Sequence, residues 1–282
     1  MTETESTSLL SLNTELEDRH DAMVRRLAKP GADILLAKPA GFADLSQYDQ
    51  TEWLSRRDEK LEGLTFNASR ANINHACIGL GGEPGEIAVL LTLKDGTDSL
   101  TTGMLEETGD AYFYARLLRQ ELGSQYVPLS IGEVLRLIAS HHPEIDAFEF
   151  TREINLVTGY VMLNLGVGIA VDAMKRVFIY NGQFDSKFKD RDLTFRQAGI
   201  DGLQIIEFAL GLMLAQVDKT RDDALEANWY KLEGSKDSRY KDGYSDAAAH
   251  ARADKAAEVK TGPDDEPLTG GACDLGEACE SC

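Results

Sequence analysis

Cysteine and proline are both scarce in this chain, which holds four Cys and seven Pro among its 282 residues. Four cysteines cannot make the dense disulfide framework that small secreted domains need, so the sequence predicts a reduced, cytoplasmic protein. The N-terminal segment is acidic where a secretory signal would be basic, which favours the same location. The shortage of proline and the abundance of Ala, Leu, Glu, Arg and Lys favour helices.

Positive charge and long apolar runs are also in short supply. The chain has 29 Lys and Arg against 48 Asp and Glu, a net charge of −19. Nucleic acid and anionic membrane surfaces would repel such a protein, so neither is expected as a partner. The longest apolar stretch, residues 160–171, contains Asn164 and is shorter than the roughly 20 residues that a membrane span needs. The sequence therefore predicts no membrane span.

What the chain does contain is apolar residues at helical spacing. Two strongly apolar segments, 72–93 and 156–180, are each followed by a long helical pattern, at 99–122 and 193–217. A shorter helical segment, 222–231, comes next. No segment alternates strongly enough to build a sheet. We therefore expect an all-α protein built as a helical bundle.

The order of these segments indicates an internal duplication. Residues 82–86 align with 165–169 and residues 106–110 with 196–200, so that the glycines match while every carboxylate is replaced. The sequence thus predicts two tandem related halves that form a pseudo-dimer. The expected divisions are an acidic leader at 1–18, a catalytic half at 19–150, an acid-free half at 151–260, and a disordered, Cys-containing acidic tail at 261–282.

Two pairs of carboxylates stand out in the first half. Glu83 and Glu86 have the i, i+3 spacing that puts both side chains on one face of a helix, and Glu107 and Asp110 repeat it on the next helix. Antiparallel packing of the two helices would bring all four together over an apolar surface. Such a cluster is tolerable chiefly when a divalent cation neutralises it, and oxygen ligands favour Mg²⁺, with Mn²⁺ as the alternative.

A solvated acidic helix face is the competing interpretation, and for any single Glu-x-x-Glu pair it is the more usual one. The paired spacing within apolar helices favours the metal site. Pro84 lies inside the first pair and is expected near a helix start, where a missing N–H costs little.

Residues 74–86 (NHACIGLGGEPGE) and 105–110 (LEETGD) resemble the signature of the MazG-like all-α nucleoside triphosphate pyrophosphohydrolases. Residues 224–232, with Arg239 and Tyr240, look like the closing motif of the family's bacteriophage members. Lys175 and Arg176 are similar to its basic segment. This closing motif falls in the acid-free half, far from the carboxylates, so a site composed from both halves is expected.

The resemblance implies magnesium-dependent hydrolysis of a nucleoside triphosphate to its monophosphate and pyrophosphate, in phage nucleotide metabolism and the host cytoplasm. A purine substrate such as (d)GTP is one expectation, and a homo-oligomer such as a dimer of pseudo-dimers is another. Metal would be held by Glu83, Glu86, Glu107 and Asp110, with Glu83 or Glu86 orienting the attacking water or taking its proton. The expected substrate-binding residues are Lys175, Asn228, Lys231, Arg239 and Tyr240.

Each of these residues also has a purely structural interpretation. Lys175 could end a helix, Asn228 could cap one, Lys231 and Arg239 could be surface cations, and Tyr240 is more typical of packing than of base stacking. The second half lacks the carboxylates of the first. This supports a different class of function, a nucleotide-binding regulatory protein with little catalytic activity.

Overall fold

The computed structural model describes residues 13–27, 68–92, 97–146, 149–150, 152–180, 182–234 and 238–240. Within these ranges the protein is helical and forms no β-strand, and an isolated bridge joins Lys187 to Thr194. The all-α prediction is thereby confirmed. The predicted tail at 261–282 and most of the predicted leader lie outside the described residues.

Seven α-helices and one π-helical turn make up the described part of the chain. They are α1 (Thr14–Leu27), α2 (Ala68–Thr92), α3 (Thr97–Leu122), α4 (Ile131–His141), α5 (Leu156–Phe178), α6 (Phe195–Ala215), α7 (Arg221–Trp229) and the π-helical turn Tyr230–Gly234, which continues directly from α7. Helices α2, α3, α5, α6 and α7 cover the five segments that show helical periodicity.

Local sequence signals set where several of these helices begin and end. Asn155 and Thr194 accept a backbone hydrogen bond at the starts of α5 and α6. Thr220 and Asp223 form a capping box at the start of α7. Gly123 adopts the left-handed conformation after α3, with φ of 65°, which a glycine accepts without strain.

The core is built from two long antiparallel hairpins, α2–α3 and α5–α6, which lie side by side so that α2 contacts α5 and α3 contacts α6. Glycines let α5 and α6 approach each other closely. A Cβ atom added at Gly202 would lie 2.7 Å from the backbone of Gly166 and of Ala170. The buried side chains of the four helices form one continuous apolar cluster.

The short helices do not stay with the hairpin that precedes them. Helix α7 follows α6 in the chain but packs mainly on α3, and α4 follows α3 but packs on α6 and α5. The C-terminal part of the described chain is thereby placed against the helix that carries Glu107 and Asp110.

Helix α1 begins at Thr14, inside the segment 1–18 that was expected to be a leader. Two side chains explain the earlier start. Leu16 is buried, and Glu17 forms ion pairs with Arg116 and Arg221. The helix therefore contributes to the core before residue 19.

Helices α5 and α6 are long and apolar enough, by length and composition alone, to cross a membrane. The apolar stretch at residues 160–171 covers only part of α5, so it is shorter than a membrane-spanning segment although the whole helix is long enough. Helix α6 is mostly buried and α5 less so, and buried core helices of soluble proteins pass the same test. These two helices are weak grounds for a membrane span.

Candidate metal centre

Carboxylates meet where α2 packs against α3. Glu83 and Glu86 lie one turn apart on α2, and Glu107 and Asp110 lie one turn apart on α3. Carboxylate oxygens of Glu83, Glu86 and Glu107 all lie within 4.8 Å of one another. We call these three residues the glutamate cluster. Asp110 is not part of it, but its charge acts on Glu83.

Glu83 is the most deeply buried member of the cluster. The residue is only 6% exposed, and its Oε2 atom has no hydrogen-bond partner among the described residues. Burial, followed by the negative charges of Asp110, Glu107 and Glu86, raises the pKa of Glu83 to about 9. An unpaired buried carboxylate is costly, so this oxygen is suited to a bound cation.

The other two glutamates lead from the buried end of the cluster to solvent. Burial and the charge of Glu86 raise the pKa of Glu107 to about 7. Glu86 is exposed. The cluster therefore has one desolvated end and one open end, and a cation can reach it from solution.

Pro84 lies in the interior of α2 rather than near a helix start, contrary to the expectation from sequence. Proline has no N–H to give to the carbonyl oxygen of Leu80, so one helical hydrogen bond is missing directly beside Glu83. The helix nevertheless continues to Thr92, and Pro84 is itself buried.

Two polar side chains, one on α7 and one on the π-helical turn that follows it, contact Asp110 beside the cluster. Lys231 Nζ lies 2.6 Å from Asp110 Oδ2 and 2.9 Å from Glu106 Oε1. Asn228 Nδ2 donates to Asp110 Oδ1 over 2.8 Å. Burial lowers the pKa of Lys231, but the charges of Asp110 and Glu106 outweigh it and the pKa is raised overall. Lys231 is therefore a charged counter-ion to the acidic side chains.

Gly109 is the feature of α3 that permits this approach. A Cβ atom at residue 109 would lie 3.0 Å from both the Ala224 carbonyl oxygen and Asn228 Cβ, so a larger residue would push α7 away. Lys231 itself lies in the π-helical turn that follows α7, and such turns are frequent at functional sites. The glycine between Glu107 and Asp110 thus brings Asn228 and Lys231 to Asp110.

Arg239 and Tyr240 also lie beside Asp110. Together they line a cavity of about 60 Å³ with Leu27, His75, Asp110, Phe113, Tyr114 and Leu232. His75 and Tyr114 form an edge-to-face pair with ring centroids 5.4 Å apart. Four of the five predicted substrate-binding residues, Asn228, Lys231, Arg239 and Tyr240, are therefore close to the carboxylates.

Lys175 is the exception among the predicted substrate-binding residues. It is exposed on the last turn of α5, and its Nζ atom lies 5.6 Å from the ring centroid of Tyr180. Within the described ranges it makes no ion pair with the four carboxylates. This position matches the solvated helix end that the sequence also allowed, and the role of Lys175 in substrate binding stays a prediction.

The structure adds two polar residues that sequence reasoning did not select. Glu106 shares the ammonium group of Lys231 with Asp110. His20 lies against Asn228, although the two are 208 residues apart in the chain. Glu106 was visible as a neighbour of Glu107, whereas nothing in the sequence around His20 signals its contact with Asn228.

The raised pKa values predict a pH dependence of the metal-free protein. Between about pH 5 and 7 the folded chain holds protons on both Glu83 and Glu107, and between about pH 7 and 9 it holds one on Glu83. The unfolded chain, with a carboxyl pKa of about 4.5, has released these protons. Stability is therefore full below about pH 4.5 and is lost as pH rises through 7 and 9, with a slope of at most about 1.4 kcal/mol per pH unit for each proton. Because a metal displaces these protons, Mn²⁺ affinity rises over the same interval.

Urea unfolding in a chelator and Mn²⁺ titration at pH 6, 7 and 8 measure the two trends. A protein whose Mn²⁺ affinity were constant over this range would contradict the buried, protonated state of Glu83.

No protein-family model matches the chain, and no curated protein or solved structure is significantly similar to it. The family to which the chain belongs is therefore a matter of proposal, argued from the residues described above.

Proposed function

We propose that this protein is a magnesium-dependent nucleoside triphosphate pyrophosphohydrolase of MazG-like type. One observation carries the proposal: the glutamate cluster places three carboxylates within 4.8 Å, and one of their oxygens, Glu83 Oε2, is buried without a partner among the described residues. Structural carboxylates on a solvated helix face would not need this degree of burial.

The donor set fits a hard divalent cation. All donor atoms of the cluster are carboxylate oxygens, which suit Mg²⁺ and Mn²⁺. When bound, magnesium would neutralise phosphate charge and activate the water that attacks the α-phosphorus. The residues that would hold it are Glu83, Glu86 and Glu107, and Asp110 would join them if Lys231 moved away.

The residues of the chain itself have separate roles in this proposal. Glu86, at the open end of the cluster, would orient the attacking water or accept its proton. Lys231 would exchange Asp110 for a phosphate oxygen of the substrate, and Arg239 would bind phosphate through its guanidinium group. Asn228 would hold Asp110 in place.

The arrangement of helices supports a composite site with contributions from both parts of the chain. The carboxylates come from α2 and α3, whereas Asn228 and Lys231 follow α6 in the chain. Helix α4 follows the first hairpin but packs on the second, and α7 follows the second hairpin but packs on the first. Two domain-swapped subunits fused into one chain would have this arrangement. The alignment pairs Gly166 with Glu83 and Gln197 with Glu107, and Glu83 lies close to Glu107. Gly166, however, packs against Gly202 and Ile206, farther along α6 than Gln197. We therefore propose a duplication whose hairpins differ in register.

The test is an assay of the purified full chain with Mg²⁺ against the eight common NTPs and dNTPs, with pyrophosphate and orthophosphate measured separately. We expect monophosphate and pyrophosphate in equal amounts from at least one substrate, and loss of both products in excess chelator. Release of orthophosphate alone, or no turnover of any nucleotide, would overturn the proposal.

A second candidate function is nucleotide binding with little turnover. It is favoured by the state of Asp110, whose Oδ1 atom is bonded to Asn228 and whose Oδ2 atom is bonded to Lys231. If Lys231 stays in place, one predicted metal ligand is not available. A nucleotide-induced rise in melting temperature without product would favour this candidate.

Replacement of Lys231 by methionine tests the counter-ion directly. Loss of the ammonium group removes the charged hydrogen bonds that Asp110 and Glu106 accept from it, so the free energy of unfolding of the metal-free protein is expected to fall by about 2 kcal/mol. Mn²⁺ should then raise the melting temperature of Lys231→Met more than that of the unmodified protein, because the metal replaces a missing cation. Thermal unfolding with and without Mn²⁺ measures both effects.

Lys189→Met, which removes an exposed lysine from the loop before α6, is the matched control and should leave both values unchanged. Equal Mn²⁺ stabilisation of Lys231→Met and Lys189→Met would show that Lys231 does not compete with metal for the cluster.

A further inference from the structure

His20 is a buried polar residue for which the proposed reaction has no use. It lies on α1, is only 1% exposed, and its Nε2 atom is 3.3 Å from Asn228 Oδ1. Burial, and then the charge of Arg116, lowers the pKa of His20 to about 3, so the imidazole is neutral over the physiological range. A neutral histidine in this position has one donor and one acceptor nitrogen.

The contact with Asp110 fixes which way the Asn228 amide points. Asn228 donates from Nδ2 to Asp110 Oδ1. Because an ionised carboxylate only accepts hydrogen bonds, the amide nitrogen must face Asp110 and the amide oxygen must face His20. His20 therefore carries its proton on Nε2 and donates it to Asn228. Its other nitrogen, Nδ1, has no hydrogen-bond partner among the described residues, as this tautomer allows.

The chain of hydrogen bonds from His20 through Asn228 to Asp110 holds one of the two carboxylate oxygens of Asp110. Lys231 holds the other, and it is the group that the proposed mechanism would move to the substrate. Once Lys231 leaves, Asn228 still holds the Asp110 carboxylate, whose charge acts on Glu83. If the Asn228 amide were flipped by half a turn, its oxygen would face the Asp110 carboxylate oxygen, and the two acceptors would repel each other.

We propose that His20 is a positioning residue for the metal centre, which locks the Asn228 amide in the orientation that donates to Asp110. The kinetic part of this inference rests on the proposed function, whereas the metal-binding part requires only that Asp110 joins the glutamate cluster when Mn²⁺ displaces Lys231. Residues that orient a metal centre from outside the first set of ligands typically contribute tenfold or more to affinity or activity.

Three variants separate this role from simple packing. His20→Leu fills much of the same volume but cannot donate to Asn228. His20→Gln keeps an amide N–H that can reach the place of Nε2. Met23→Ala is the matched control, since Met23 is fully buried on the same helix and its truncation loosens the packing of α1 while leaving His20 in place.

The readouts are the dissociation constant for Mn²⁺, measured without nucleotide, together with kcat, KM and the melting temperature. His20→Leu should weaken Mn²⁺ binding and lower kcat by about tenfold, with little change in KM, and His20→Gln should recover most of both losses. Met23→Ala should lower the melting temperature and leave the Mn²⁺ dissociation constant within about twofold.

The inference is overturned if His20→Leu and His20→Gln bind Mn²⁺ equally well, or if Met23→Ala loses as much affinity as His20→Leu. It also fails if the unmodified protein binds no Mn²⁺. A different outcome separates the two proposals. If the variants rank as expected in Mn²⁺ affinity but the unmodified protein hydrolyses no nucleotide, the positioning role of His20 stands and only the proposed function is refuted.

Discussion

Glu83→Gln is expected to lower nucleoside triphosphate hydrolysis by at least about 100-fold while the protein stays folded. Glutamine keeps the shape of the side chain but is a neutral, poor ligand for a hard divalent cation. Near pH 7 the metal-free carboxyl of Glu83, with its pKa of about 9, already holds a proton, so the neutral amide resembles the native state. The melting temperature of the metal-free variant should therefore equal or exceed that of the unmodified protein.

Measurement of kcat at saturating Mg²⁺, with thermal unfolding in the presence and absence of Mn²⁺, tests both parts. Glu15→Gln removes an exposed carboxylate of the same type from α1 and should change neither quantity. A fully active Glu83→Gln would remove Glu83 from the metal centre. An inactive variant that melts well below the metal-free unmodified protein would show that Glu83 has a structural role instead.

The helices and the acidic spacing were accessible from the sequence because both depend on local periodicity. Apolar residues at helical spacing predicted α2, α3, α5, α6 and α7 to within a few residues. The i, i+3 spacing of Glu83 and Glu86, matched on α3, predicted that these side chains face each other once two consecutive helices pack antiparallel. That packing follows from the short connection between them and needs no long-range information.

The contacts around Asp110 depend instead on which helices pack together across the chain. Nothing near His20 or Asn228 shows that α1 and α7 meet at α3. Gly109 opens that space, but a glycine within a helix does not by itself indicate that another helix packs there. Lys175 was assigned from its resemblance to the basic segment of the family, and such a resemblance does not determine the face of the bundle on which α5 ends.

The two hairpins are joined by a buried ion pair that the sequence did not reveal. Arg119 on α3 is fully buried, and its Nε atom lies 3.1 and 2.9 Å from the two carboxylate oxygens of Glu207 on α6. The same guanidinium group donates to Gln204, to Ser124 and to the carbonyl oxygen of Gln125. The guanidinium group thus joins α3 to α6 through Glu207 and Gln204 and also fixes the segment that follows α3.

Arg119→Met is expected to lower the free energy of unfolding by about 3–5 kcal/mol, the largest stability effect of any single change considered. The methionine fills the space but leaves the carboxylate of Glu207, only 3% exposed, without its cation. A buried charge with no partner is far more costly than the pair is stabilising. Urea unfolding monitored by circular dichroism measures the loss, with Arg25→Met as a control because Arg25 is 70% exposed and pairs with Asp21 at the surface.

The double variant Arg119→Met/Glu207→Leu distinguishes an uncompensated charge from a lost contact between the hairpins. If the loss comes from the unpaired Glu207 carboxylate, removal of that carboxylate should recover most of the stability, because apolar replacement of a whole buried pair is often neutral. If the double variant stays as unstable as Arg119→Met, the loss comes instead from the other guanidinium bonds, to Gln204 on α6 and to Ser124 and Gln125 directly after α3. Glu107 and Asp110 lie on α3 and the residues that engage Asp110 follow α6, so a change in how α3 packs on α6 should also weaken Mn²⁺ binding by the folded variant.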